Sequence, residues 1–206
     1  MSIPYITVRE GKMIDFQRKQ RVIRNALSGK EYTLLALDLI DPTDKVIAQV
    51  TSICNEPLVY DWLFRKMLSD KPYPPSMATG WFARGADGWA KNDHFVFAVV
   101  DQNGGIAAAC DIKSADASWA EVGYWSSSNH RGVMTNAIIG LIDLAKEAGF
   151  ERLFAETQNA NFRSQGVLRR AGFALSDKTP HRGNHHIVFS ISTQTANQTQ
   201  HSTARG

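Results

Sequence analysis

With 206 residues, 43% of them hydrophobic and 21% charged, the chain has the size and composition of one α/β domain with a substantial core. A net charge of +3 is too small to argue for nucleic acid, and the two cysteines, Cys54 and Cys110, lack metal-ligand or disulfide spacing and read as reduced, buried thiols. Met1-Ser-Ile-Pro-Tyr5 lacks the basic-then-apolar order of a signal peptide and no apolar run is long enough for a bilayer, so a soluble, cytoplasmic protein without membrane partners is expected.

Residues 1–30 read as an N-terminal extension, 31–192 as the folded domain and 193–206 as a disordered polar tail. In the extension, Arg18-Lys-Gln-Arg21 and Arg24 alternate with Val22, Ile23, Ala26 and Leu27, which fits an amphipathic helix stopped at Ser28-Gly29. Its cations form a solvated face by default, with a polyanion contact as the alternative. Thr33–Ile40 is strand-like. Asp41-Pro42 opens a helix with Val46, Ile47, Val50 and Cys54 at helical spacing, and Pro57 opens another carrying Tyr60, Trp62, Leu63 and Phe64. Lys71-Pro-Tyr-Pro-Pro75 is a connector. Ser76 can cap a helix through Trp81, Phe82 and Trp89, in which Gly80, Gly85 and Gly88 are unfavourable.

His94–Val100 and Ile106–Ile112 form a hairpin around Asp101-Gln-Asn-Gly-Gly105, and Trp119–Trp125 is the next strand. Val133–Ala148 is the clearest helix, with an apolar stripe of Met134, Ile138, Leu141, Ile142 and Ala145 and a stop at Gly149. Leu153–Thr157 is a strand, Ser164–Ala171 a short helix, and Phe173–Leu175 and His186–Ile191 the closing strands.

The most informative stretch is Glu121-Val-Gly-Tyr-Trp-Ser-Ser-Ser-Asn-His-Arg-Gly-Val-Met-Thr135: a strand, a polar turn and a helix opening at glycine. The first N–H groups of such a helix lack intrahelical partners and carry partial positive charge, which suits a phosphate. A plain tight turn built on Gly132 is the alternative. Farther on, Asn161-Phe-Arg-Ser-Gln-Gly-Val-Leu-Arg-Arg-Ala-Gly-Phe173 places an Asn and a Ser three apart at a strand-to-helix junction.

Together the two segments resemble the GNAT acetyltransferase superfamily. The phosphate-loop pattern of that family, Gln/Arg-x-x-Gly-x-Gly/Ala, reads here Asn129-x-x-Gly132-x-Met134, departing at both ends. Its Asn-x-x-Ser-x-x-Val-Leu-x-x-x-Gly-Phe pattern is matched from Asn161 to Phe173. The Glu121–Trp125 strand and Pro57-Leu-Val-Tyr-Asp-Trp-Leu63 are similar to the ribosomal-protein N-terminal acetyltransferase branch, and the resemblance spans residues 33–192. It implies a GNAT fold: a mixed, mostly antiparallel twisted sheet flanked by helices, with splayed central strands that hold the pantetheine arm of acetyl-CoA.

The resemblance also implies site roles. Backbone N–H groups around Arg131, Gly132, Val133 and Met134 would cradle the pyrophosphate, aided by Asn129, the Arg131 charge and the Thr135 hydroxyl. A side chain at residue 132 is expected to push the phosphate away. Tyr124 and Trp125 flank the cofactor, with an N–H near Trp125 for the oxyanion. Asn161 would bond the pantetheine amide, the alternative being an ordinary Asn turn. Ser164 would serve the leaving sulfur, the alternative being a helix cap. Glu121, a carboxylate in an apolar strand, is the candidate general base if it lies in an apolar cleft; a strand-edge salt bridge is the plainer alternative. His181, His185 and His186 read as solvated, with no metal expected, and Trp62, Trp81 and Trp89 as core or as walls of an acceptor pocket. The expected activity is acetyl transfer from acetyl-CoA to a primary amine, either a protein N-terminus or a small molecule of polyamine or aminoglycoside type. A non-catalytic acyl-CoA-binding module is the alternative motivated by Asn129 and Met134. A homodimer remains an open expectation without a sequence signal.

Overall fold

The computed structural model describes residues 13–194; the amino-terminal pentapeptide and most of the expected tail, residues 195–206, lie outside them. The chain runs β1 (Gln20–Arg24), β2 (Glu31–Ala36), α1 (Asp44–Cys54), α2 (Pro57–Leu63), α3 (Pro75–Lys91), β3 (Phe95–Asp101), β4 (Ile106–Ile112), β5 (Ala120–Ser126), α4 (Val133–Ala148), β6 (Arg152–Gln158), α5 (Phe162–Arg170), β7 (Ala174–Leu175) and β8 (His186–Ser192). The strands form one sheet in the order β1-β2-β3-β4-β5-β6-β8-β7. All neighbours are antiparallel except β5 and β6, which are parallel. This is the mixed α/β sheet that the order of elements implies.

Strand alternation divides the interior into two layers. On one face Ile23, Leu34, Phe97, Cys110, Val122 and Leu153 meet Val133, Ala137, Ile138 and Leu141 of α4. On the other, Val96, Ala98 and Ile106 meet Ile47, Val50 and Cys54 of α1 and Ala78 and Phe82 of α3. Both thiols are buried, and burial pushes the Cys54 thiol up to about 12, so neither is a candidate nucleophile.

The segment expected as an amphipathic helix is instead the edge strand β1, paired with β2 from Gln20–Leu35 to Arg24–Glu31. The β-branched pair Val22-Ile23 suits a strand, and β2 supplies the hydrogen bonds a lone helix would have made internally. Its cations are not an open patch. Arg18 and Arg21 reach Glu147, Arg21 also reaches Asp143 at 2.6 Å, Lys19 pairs with Asp38 and Arg24 with Glu31.

Two local expectations in α3 also change. Ser76 lies inside the first turn behind Pro74 and Pro75, and no side chain caps that end. The glycines are there for close packing: a Cβ on Gly85 would stand 2.5 Å from Leu37 Cδ2, and one on Gly88 would stand 2.5 Å from the His94 carbonyl oxygen. The predicted helix weakness is outweighed by how closely the helix lies on the sheet.

β5 stays paired with β4 as far as Ser126 but pairs with β6 only at Ala120–Leu153 and Glu121–Phe154. Beyond Glu121 the two central strands part, which is the splay expected for this fold.

Candidate active site

The turn after β5 begins at Ser127, whose hydroxyl accepts from Asn129 N–H and donates to Glu56 at the start of α2. A 3-10 turn over Ser128–His130 follows, and α4 begins at Val133 behind Gly132, which has φ 91°. Gly132 offers no side-chain acceptor, so the N–H groups of Val133, Met134 and Thr135 keep the unpaired character of a first helical turn. A Cβ on Gly132 would stand 2.6 Å from Leu27 Cγ and 2.7 Å from Asn25 Oδ1. The glycine is therefore required by the β1–β2 turn packed behind it. Met134 is 6% exposed within the core, so this departure from the family pattern points away from the phosphate side. Asn129 and Arg131 are exposed. Tyr32 hydroxyl and His130 Nδ1, 2.9 Å apart, tie the turn to β2.

Thr135 is buried, and its hydroxyl accepts from Arg170 Nε at 3.3 Å. Arg170, at the end of α5, thus brings a guanidinium to the first turn of α4. Sequence reading passed over it because a basic residue ending a helix is ordinary dipole compensation.

Across the opening between β5 and β6, the Tyr124 hydroxyl lies 2.7 Å from Ser164 Oγ and donates to Ser164 O at 3.1 Å. Burial pushes the Tyr124 hydroxyl up to about 12 despite the Ser164 bond and the Arg170 charge, so it keeps its proton at neutral pH. Ser164 is not the helix cap. Asn161 holds that place, its Oδ1 accepting from Ser164 N–H at 3.1 Å, which leaves its Nδ2 group as the donor it can offer a carbonyl. In β5 the backbone groups of Glu121 and Ser127 bond β4, so those of Trp125 do too, while the N–H groups of Tyr124 and Ser126 face the opening. The gap-facing donors therefore stand on either side of Trp125 in sequence.

Glu121, Gly123 and Trp125 project from the opposite face, toward α3 and the 176–185 loop. Trp125 packs on Trp81 of α3 with ring centroids 5.6 Å apart, whereas Trp89 is core, donating to Val96 O at 2.8 Å. Glu121 does not lie in an apolar cleft. Its Oε1 is 2.7 Å from Lys113 Nζ and 2.7 Å from Arg182 NH2. Asp111 is similarly engaged, accepting from Gly123 N–H at 2.9 Å and lying 2.8 Å from His94 Nε2. That pair joins β4 to the residue just before β3 and had no sequence signal.

The loop is fastened by Glu156, whose side chain is fully covered and accepts from the backbone N–H groups of His181 and Arg182 and pairs with His181 Nδ1. Burial alone would raise this carboxyl, but those donors and the Arg182 charge outweigh it and hold it below its ordinary 4.5. A depressed carboxyl stabilises the fold above the unfolded value and loses that contribution as pH falls through the lower folded value. Glu156→Gln should therefore flatten the acid side of the unfolding profile and speed proteolysis within 176–185 at neutral pH; a profile identical to the parent would disprove the fastening role. Among the described residues no group of three or more His, Cys, Asp or Glu side chains is placed to hold a metal. Nor is any helix among them long and apolar enough to cross a membrane.

Parted central strands beside a glycine-led helix N-terminus are the arrangement that the GNAT resemblance implies. The sequence profile of the Acetyltransferase (GNAT) domain matches residues 35–174, more than half of the chain, and the protein belongs to that family. It is an N-acetyltransferase that uses acetyl-CoA as acetyl donor. Similar solved structures include RimL, the ribosomal L7/L12 alpha-N-protein acetyltransferase in complex with coenzyme A (13% identity, TM-score 0.63, 84% of this chain and 98% of that one). The ribosomal-protein-S5-alanine acetyltransferase from Vibrio fischeri is 22% identical, with TM-score 0.61 over 79% of this chain and 93% of that one. The microcin C7 self immunity acetyltransferase MccE, in complex with acetyl-CoA and AMP, is 19% identical with TM-score 0.61 over 78% and 92%. No curated protein sequence matches the chain.

Proposed function

We propose that the protein acetylates the α-amine of a peptide or protein N-terminus and uses polyamine or aminoglycoside amines poorly. The observation carrying this reading is the engagement of Glu121 by Lys113 and Arg182, which places that carboxylate in two ion pairs rather than open to an acceptor amine. An α-amine, with a pKa of about 7.7–8.0, loses its proton to water near neutrality, whereas an alkyl ammonium near 10.4 needs a committed base. The names of two structural neighbours, an alpha-N-protein and a ribosomal-protein-alanine acetyltransferase, point the same way.

In this reading the chain divides the work as follows. The N–H groups at the start of α4, with Arg131, Asn129, Thr135 and Arg170, hold the phosphates of the donor. Asn161 Nδ2 donates to a carbonyl of the pantetheine arm, and the N–H of Tyr124 or Ser126 to the thioester oxygen. The Tyr124 hydroxyl, held by Ser164, gives its proton to the departing sulfur. Trp81 and Trp125 wall the acceptor side, and Glu121 holds Arg182 and the loop in place.

The test compares kcat/KM for a short peptide with a free α-amine against spermidine and an α-blocked lysine peptide. A preference of about a hundredfold for the α-amine is expected, with kcat/KM rising through about pH 8; equal or faster turnover of spermidine rejects the reading. Glu121→Gln should lower kcat/KM by less than about tenfold, whereas a loss at the upper end of general-base effects, about 10⁴-fold, would restore Glu121 as the base.

A further inference from the structure

The turn between β1 and β2, residues 25–30, lies outside the region matched by the family profile, yet it forms the back wall of the phosphate turn. Asn25 is 4% exposed and uses both ends of its amide. Its Nδ2 donates to Arg131 O at 2.9 Å, and its Oδ1 accepts from the N–H groups of Leu27 and Ser28. Next to it, Ala26 N–H donates to Gly132 O at 3.1 Å. On the helix side Asn136 Nδ2 donates to Arg24 O at 2.6 Å. Leu27 and Asn25 also fill the space a Cβ of Gly132 would need.

The carbonyls of Arg131 and Gly132 are thus both drawn backward into this turn. A peptide plane whose C=O is fixed on one side has the N–H of the following residue fixed on the other. Holding those two carbonyls therefore aims the N–H groups of Gly132 and Val133, the pair at the mouth of α4. We infer that Asn25 is a positioning residue for acetyl-CoA: it acts through the Arg131 and Gly132 carbonyls to preorganise the phosphate-binding amides, and the β1–β2 turn is a working part of the coenzyme site. Preorganised donors bind without the ordering cost that a loose loop would incur. The inference rests on the coenzyme placement proposed above.

The experiment is calorimetric titration of acetyl-CoA into the parent protein, Asn25→Ala and Asn136→Ala, with the unfolding midpoint of each. Asn136 sits on the surface of α4, where alanine is the better helix former, so that variant releases the turn without threatening the fold. Asn25→Ala should raise Kd about tenfold at temperatures well below its midpoint, and Asn136→Ala about threefold. A merely structural role would lower the midpoint and leave the Kd of the folded protein unchanged. Parental affinity in a folded Asn25→Ala overturns the inference; if that variant does not fold, parental affinity in Asn136→Ala does so. Failure of the parent to bind would remove the coenzyme placement and this inference together.

Discussion

Gly132→Val is expected to abolish acetyl-CoA binding at ligand concentrations that saturate the parent, raising Kd by about two orders of magnitude. Two effects converge on one residue. The backbone at φ 91° lies where a β-branched side chain is strained, costing roughly 1–3 kcal/mol. The added carbons would also meet Leu27 and Asn25 well inside contact distance. The relief available is to swing the turn or to expel residues 25–28, and either disperses the amides at the start of α4. The strain alone should lower the unfolding midpoint by about 5 °C for a chain of this size. Calorimetry and a melting curve read both quantities; parental affinity with a lowered midpoint would separate the turn from coenzyme binding.

Tyr124→Phe should cut kcat about a hundredfold while Kd for acetyl-CoA stays within about threefold, the usual magnitude of a lost general acid. The hydroxyl, pushed up to about 12, is protonated throughout the working range, so the parent should show no loss of kcat from this group below about pH 10. Ser164→Ala removes the partner at 2.7 Å and should cost about tenfold. Because the two hydroxyls act as one unit, the double variant should resemble Tyr124→Phe alone rather than the product of the two. Full additivity in single-turnover rates would show that each hydroxyl acts independently.

The sequence disclosed most where local pattern and tertiary need coincide. α4 was legible from its stripe and its terminal glycine because the core packs the same residues that the 3.6-residue period selects. The closing helix was legible through Asn161, Ser164 and the Val167-Leu168 pair, but which side chain capped it was not, since an Asn and a Ser three apart can each play that part. β1 was misread because a short charged edge strand and a short amphipathic helix share a composition, and only the partner strand decides between them. Glu121 was legible as an anomaly whose plainer reading was a strand-edge salt bridge, but which cations it would meet was not. Arg182, its second partner, arrives from a loop far along the chain, and no periodicity announces that meeting. Gly85 and Gly88 looked like helix weakness because the approach of Leu37 and His94 is a property of the folded layers alone.

The bond from Asn25 to Arg131 joins residues 106 positions apart, and that separation bears on how the protein folds. Closing so long a loop is among the slower contributions to folding, whereas the β3–β4 hairpin and α4 can form from neighbours in the chain. The amides at the mouth of α4 should accordingly reach their final arrangement late, after the sheet has gathered its first strand. A ligand that binds only that finished arrangement adds stability in proportion to the logarithm of its concentration. Acetyl-CoA present during refolding should therefore raise the yield of the last phase without altering the early ones, making the substrate a participant in the completion of its own site.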